Sequence, residues 1–269
     1  MHKFAFLGAG RMASAMIVGL LNKRYATSTE IICTSADDGT GPTLATKTGI
    51  IYSDQANSIL AEAGALVLAI KPQQFKALEP SFTALAAGKL VISILAGTPI
   101  RAIAAKFAGA RNVVRAMPNT PGQIGAGITC FASLHPLSAE DKVLVDQALG
   151  AMGPVIPVEE ADLDAVTALS GSGPAYVFEF IAGLRDGGIA AGLKPEVAYQ
   201  LAMETVLGSA KLLLQSEQTP EFLRDQVTSP GGTTLAGLKV MNDSNFRKTL
   251  GETVLAAQKR SRELAALAG

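Results

Sequence analysis

The chain has no tryptophan, two histidines and two cysteines, and aromatic residues fill 5% of its 269 positions. Cys33 and Cys130 each sit in a β-type run, with no CxxC or Cys/His spacing around them. That excludes a disulfide framework and a structural zinc site, so no metal is expected. Neither sign of charge is in excess, with 23 basic and 23 acidic residues and no basic stripe. Nucleic acid and anionic membrane are therefore poor partners, and a small molecule is the better one. No stretch of about 18 apolar residues occurs, and the run Met1 to Leu7 meets a glycine pair too early for a secretory leader. The expectation is a soluble, cytoplasmic protein.

What is abundant is alanine and glycine, with 27 glycines in all. In the first part, short β-type runs (Lys3 to Leu7, Glu30 to Thr34, Ala65 to Ile70, Leu90 to Ile94, Asn112 to Arg115, Ile128 to Phe131, Val155 to Val158) alternate with helical patterns at Met12 to Asn22, Pro99 to Phe107 and from Ser138. This alternation predicts an α/β unit with a Rossmann-type, doubly wound, mostly parallel sheet over residues 1–158. From about Glu159 the β-type runs almost cease. Asp162 to Ser170, Pro174 to Ala191, Pro195 to Ser216, Pro220 to Val227 and Thr233 to Leu267 read as helices, giving an all-helical second domain over 159–269. The helix from Pro174 is apolar nearly all round, with Glu179, Arg185 and Asp186 as its charges. A domain of about 110 residues can hardly bury such a helix alone, so dimerisation through these helices is expected.

Two loops carry chemistry. Gly8-Ala9-Gly10-Arg11-Met12-Ala13 follows the first strand and opens a helix, the setting of a dinucleotide fingerprint. In that reading Gly8 makes the tight turn, Gly10 lets a pyrophosphate approach the backbone, and Ala13 lets helix and strand pack. The second strand ends Cys33-Thr34-Ser35-Ala36-Asp37-Asp38, where hydroxyls favour NADPH mildly and the aspartates leave NADH possible. The second loop is Asp225 to Leu238, with Ser229-Pro230-Gly231-Gly232-Thr233-Thr234 at its centre. Glycines without a Cβ in front of a helix start make a site for a small anion, while the plainer reading is a helix N-cap.

Hydride transfer to a ketone needs a proton donor, usually His or Lys. Neither His2 nor His135 is suitably set, and Ser170 to Leu184, where 3-hydroxyacid dehydrogenases carry a catalytic lysine, holds none. An imine removes the difficulty, because its nitrogen arrives protonated. The enzyme then supplies orientation, a grip on the remote carboxylate and a hydrogen bond at nitrogen.

Leu169-Ser-Gly-Ser-Gly-Pro-Ala-Tyr-Val-Phe178, Asp186-Gly-Gly188, Ala210-Lys211 and Asp225 to Thr234 resemble pyrroline-5-carboxylate reductase. So do Gly8 to Met12, Ala69-Ile-Lys-Pro72, Ser93-Ile-Leu-Ala-Gly97 and Val114 to Pro121, in order along almost the whole chain. The resemblance implies reduction of 1-pyrroline-5-carboxylate to L-proline by NAD(P)H, the last step of proline biosynthesis. It also implies roles for individual residues. Gly8, Ala9, Gly10, Arg11 and Met12 would hold the pyrophosphate, Ser35 the adenosine ribose or its phosphate, and Ala69, Ile70, Lys71, Pro72, Leu95 and Ala96 the nicotinamide half. Asn119 would sit near the nicotinamide and substrate. Ser229, Gly231, Gly232, Thr233 and Thr234 would bind the substrate, Thr234 at the ring nitrogen as the catalytic group, with Glu160 a further substrate candidate. The substrate turn would come from the partner of a homodimer, one that could join a larger oligomer of dimers, with Gln226 touching cofactor across that interface. Asn57 matches a ribose contact only with a one-residue shift and is left out.

Overall fold

The computed structural model describes residues 2–54, 63–78, 83–84 and 86–268; Asn57 lies outside them. Eight strands form one sheet: β1 His2–Leu7, β2 Ile31–Thr34, β3 Ile51–Tyr52, β4 Ala63–Leu68, β5 Leu90–Ser93, β6 Asn112–Met117, β7 Thr129–Ser133 and β8 Val155–Pro157. Their order is β3-β2-β1-β4-β5-β6-β7-β8. All neighbours run parallel except β6 and β7, which pair antiparallel. The expected mostly parallel, doubly wound sheet is the observed one.

The two-residue period of the strands explains why both faces are covered. Phe4 and Phe6 of β1 enter one core, with Met16, Ile17 and Leu20 of helix Arg11–Asn22 and Leu149 of helix Ala139–Gly150. Ala5 and Leu7 enter the other, with Leu66 and Leu68 of β4 and Ile103 and Phe107 beside helix Ile100–Lys106. Each face removes enough apolar surface from water to hold its helices. Ser138 caps helix Ala139–Gly150, its Oγ accepting from Asp141 N–H at 3.1 Å, as its Ser-Ala-Glu-Asp start suggests. Both cysteines are free and buried, and burial pushes the Cys33 thiol up to about 11.

Some elements differ from expectation. Strand β3 and helices Thr40–Thr48 and Pro72–Ala77 were not anticipated; the first of these helices is short and bounded by left-handed Gly39 (φ 72°) and Gly49 (φ 74°), and Pro72 opens the second at its first position. The stretch Asp162 to Ser170 is built of a 3₁₀ turn, one α turn (Leu163–Val166) and a π turn, Thr167–Gly171. At its end a Cβ on Gly171 would stand 2.5 Å from Met117 Cε, so a larger residue there would push the flexible methionine tip aside. The helical stretch from Thr233 is two helices, Thr233–Asp243 and Phe246–Ala268, because Asn245 turns left-handed at φ 55°.

The compact units follow different lines from the change in element type: one comprises Met1–Ser172 with Ala257–Gly269, the other Gly173–Ala256. The second unit consists of helices Gly173–Ala190, Pro195–Ser216, Pro220–Gln226 and Thr233–Asp243 with the first turns of the last helix. Among its described residues just Ala198 and Ala202 are buried. Val177, Phe178, Leu201, Leu212, Leu214, Val240 and Leu255 are all more than 40% exposed in the single chain. A helix Gly173–Ala190 that is apolar nearly all round thus has no buried residue of its own. An apolar surface of this extent marks an interaction face.

Candidate active site

The sheet order reverses between β1 and β4, and the loops leaving the carboxyl ends of the parallel strands gather there. In open α/β sheets this is where a ligand sits. Gly8 to Met12 leave β1, Ser35 leaves β2, Ala69 to Pro72 leave β4, and Leu95 and Ala96 leave β5. The residues expected to hold the cofactor in the first unit thus all follow the carboxyl ends of parallel strands, with Ala9, Gly10 and Arg11 on one cavity and Pro72 and Ala96 on another.

Gly8 takes φ 105°, and a Cβ there would lie 2.4 Å from Ala69 O. The two loops touch backbone to backbone, locked by Ala69 N–H donating to Leu7 O (2.8 Å) and Gly8 N–H to Thr34 O (2.9 Å). Gly10 is different. It is the N-cap of helix Arg11–Asn22 at φ −69°, and a Cβ on it would meet nothing within 4 Å. The fold does not require glycine there, so the open space beside it fits a group brought from outside. The first intrahelical bond is Ser14 N–H to Gly10 O (2.9 Å), which leaves the N–H groups before it directed at that space. This is a fit for a pyrophosphate.

A cavity of about 630 Å³ adjoins the loop, walled by Ala9, Gly10 and Arg11 on one side and by Asp38 to Thr40, Thr43 and Lys47 on the other. Ser35 Oγ donates to Ala36 O (2.9 Å) and accepts from Gly41 N–H (3.1 Å), so its hydroxyl is already engaged. Asp38 Oδ1 accepts from the Thr40 hydroxyl (2.6 Å) and N–H (3.0 Å), bonds that hold its carboxyl below the usual carboxylate range. On the other side of the β1–β4 loops, Pro72, Ala96 and Gly97 border a cavity of about 510 Å³. Its far wall is Thr167, Ser172 and the stretch Ala257 to Leu264 of the final helix. Lys71 N–H donates to Gln74 Oε1 (2.9 Å), which caps helix Pro72–Ala77. Leu95 is buried beneath the exposed Ala96.

Asn119 and Glu160 have work within the fold. Asn119 Oδ1 accepts from Ile128 N–H (2.9 Å), leaving its amide nitrogen as the group it can present. Glu160 Oε1 accepts from Ile100 N–H (2.6 Å) and from the buried Arg115 guanidinium (3.3 Å). It holds the start of helix Ile100–Lys106 against β6, and this is where the structure commits its carboxylate. Glu160→Ala should lower unfolding stability by about 1–3 kcal/mol, since Arg115 loses its counter-charge while Glu160 itself is partly solvated. Urea denaturation with an unchanged midpoint would contradict that role.

In the helical unit, Gln226 ends helix Pro220–Gln226, and the turn to helix Thr233–Asp243 carries Ser229 to Gly232. Gly231 is left-handed at φ 72°, and a Cβ on Gly232 would meet Ser229 Oγ at 2.4 Å. Gly232 N–H donates to Ser229 O (3.0 Å) and Gly232 is the N-cap, with no side chain capping the helix. The amides of Thr233 and Thr234 precede the first intrahelical bond, Ala236 N–H to Gly232 O. The turn is thus a helix N-terminus whose first N–H groups and Thr234 hydroxyl take no hydrogen bond among the described residues.

The description "Pyrroline-5-carboxylate reductase dimerisation" matches residues 160–264, and "NADP oxidoreductase coenzyme F420-dependent" matches 3–97. A pyrroline-5-carboxylate reductase of Synechocystis sp. is 38% identical over 97% of this chain and 98% of its own. The chain belongs to the pyrroline-5-carboxylate reductase family. A solved pyrroline-5-carboxylate reductase from Coxiella burnetii superposes with TM-score 0.91 at 34% identity, over 98% of each chain. The Plasmodium falciparum pyrroline carboxylate reductase, solved with NADP bound, does so with TM-score 0.86 at 29% identity, again over 98% of each. Sequence reasoning missed two walls of these cavities. The Asp38–Thr40 clamp had a readable signal, an Asx-type turn ahead of a helix. The wall supplied by Ala257 to Leu264 had none, because it meets Pro72 and Ala96 from far along the chain.

Proposed function

We propose that this chain reduces the cyclic imine 1-pyrroline-5-carboxylate to L-proline, with NADPH as hydride donor and NADH as a usable substitute, in the cytoplasm and as a homodimer. The observation that carries the reading is the Ser229–Thr234 turn, a helix start with unbonded amides, a hydroxyl beside them and no acid or base side chain within it. A reduced nicotinamide, when bound, supplies the hydride. The amides of Gly231, Thr233 and Thr234 grip the substrate carboxylate, and the Thr234 hydroxyl takes the ring nitrogen. No strong acid is needed, since the substrate nitrogen is protonated before the hydride arrives. The uncovered apolar surface of the helical unit supports pairing with a second copy, whose turn would serve the crevice of this one. Dimers could then assemble further. Gln226, at the helix end before the turn, would reach cofactor across the same interface.

Purified protein mixed with 1-pyrroline-5-carboxylate should oxidise NADPH, followed by loss of nicotinamide absorbance, and should form proline. Protein that binds NADPH yet leaves it unconsumed with this substrate would overturn the proposal.

A further inference from the structure

We infer that the choice between NADPH and NADH in this chain is set in the cavity between the glycine loop and the turn after β2, where Arg11 and Lys47 attract a 2′-phosphate against the fixed carboxylate of Asp38. The inference rests on the reading that the crevice takes a dinucleotide. It assigns the discrimination to residues distant from one another in sequence.

From Ile31 through Thr46 the chain has no Lys or Arg, so the end of β2 offers the 2′-phosphate no cation of its own. The cavity nevertheless has two. Arg11 enters from the first turn of helix Arg11–Asn22, and Lys47 from the last turn of helix Thr40–Thr48. Asp38 is the acid on the same wall. Its Oδ1 is pinned by both donors of Thr40, so it stays ionised and cannot rotate its charge away. Ser35 does not decide the matter, because its hydroxyl is spent on Ala36 O and Gly41 N–H. Two lining cations, together with Lys71 within electrostatic reach of Asp38, outweigh that carboxylate and tilt the cavity toward the phosphorylated nucleotide, whose extra group carries a charge of about −1.5 to −2. The same carboxylate is an acceptor for the free 2′-hydroxyl of NADH, which explains how both nucleotides are served.

At the rim of an open cavity one unit charge should change affinity for such a dianion by roughly 3- to 10-fold, more at low salt. The test is calorimetric titration of the full chain with adenosine 2′,5′-bisphosphate and with AMP, comparing the ratio of their dissociation constants. Asp38→Asn keeps an acceptor for Thr40 and should raise the preference for the bisphosphate roughly 3- to 10-fold. Arg11→Ala should lower it by a similar factor, and Lys47→Met by roughly 3-fold. Asp38→Ser, which also keeps an acceptor, replaces Asp38→Asn if that variant fails to fold. A ratio unmoved by all three changes overturns the inference, as does equal weakening of both probes by Arg11→Ala, which would put that cation on the 5′-phosphate alone. Failure of both probes to bind at millimolar concentration overturns it as well. Neither probe carries nicotinamide or needs an imine. A chain inert toward pyrroline-5-carboxylate but showing these ratios would sink the proposed reaction and leave this inference standing.

Discussion

Gly8→Ala should abolish measurable NADPH binding and lower folding stability by about 3 kcal/mol or more, whereas Gly10→Ala should weaken NADPH binding by roughly 10-fold with a melting temperature close to the parent's. The contrast comes from the surroundings of the two glycines. At position 8 a Cβ would stand 2.4 Å from Ala69 O in a backbone at φ 105°. Neither atom can retreat, because Ala69 N–H is bonded to Leu7 O and Gly8 N–H to Thr34 O. Relief would have to part β1 from β4 at the crevice. At position 10 the dihedrals suit any residue and the space is open. The penalty there arises only when a phosphate approaches. Thermal melts together with NADPH titration separate the two, and a Gly10→Ala protein that binds NADPH like the parent would show that no phosphate comes close to this loop.

Thr234→Ala should reduce kcat/KM for pyrroline-5-carboxylate by roughly 10- to 100-fold while leaving NADPH affinity within about twofold, and Thr234→Ser should restore most of the loss. A hydrogen bond to a charged partner contributes about 1.5–3 kcal/mol, which sets the range. Thr234 is half-buried at the second position of its helix and its hydroxyl makes no bond among the described residues. Since Gly232 is the N-cap and no side chain caps the helix, removal of that hydroxyl costs the turn nothing structural. Steady-state kinetics combined with cofactor titration would detect the split. Equal catalysis by the alanine and parent proteins would remove Thr234 from the reaction.

Much of this was legible in the chain. Strand runs such as Lys3 to Leu7 and Leu90 to Ile94 are nearly all apolar because both faces of a parallel sheet are covered, and that pattern survives without any knowledge of partners. The glycine loop could be placed because a strand precedes it and a helix follows. What could not be read depends on contacts across the sequence. Gly8 and Ala69 look unrelated until β1 and β4 lie side by side. Glu160 looks like a free carboxylate at a junction until Ile100 N–H and Arg115 claim it. Nothing around Asn112 to Arg115 announces a buried arginine that needs a counter-charge. The left-handed Asn245 (φ 55°), by contrast, was legible: it closes the polar run Asn242-Asp243-Ser244-Asn245, a loop signal inside the stretch Thr233 to Leu267.

Helix Phe246–Ala268 returns its residues from Ala257 onward to the unit that Met1 to Ser172 begin. There Ser261 Oγ donates to Asp164 Oδ1 at 2.7 Å, and Leu264 lies alongside Gly97. During synthesis the sheet would emerge first, yet one wall of its cavity beside Pro72 and Ala96 would leave the ribosome only after the helical unit. The unit started earliest is finished latest, so a nascent chain cannot close that cavity until the helical unit has been made in full.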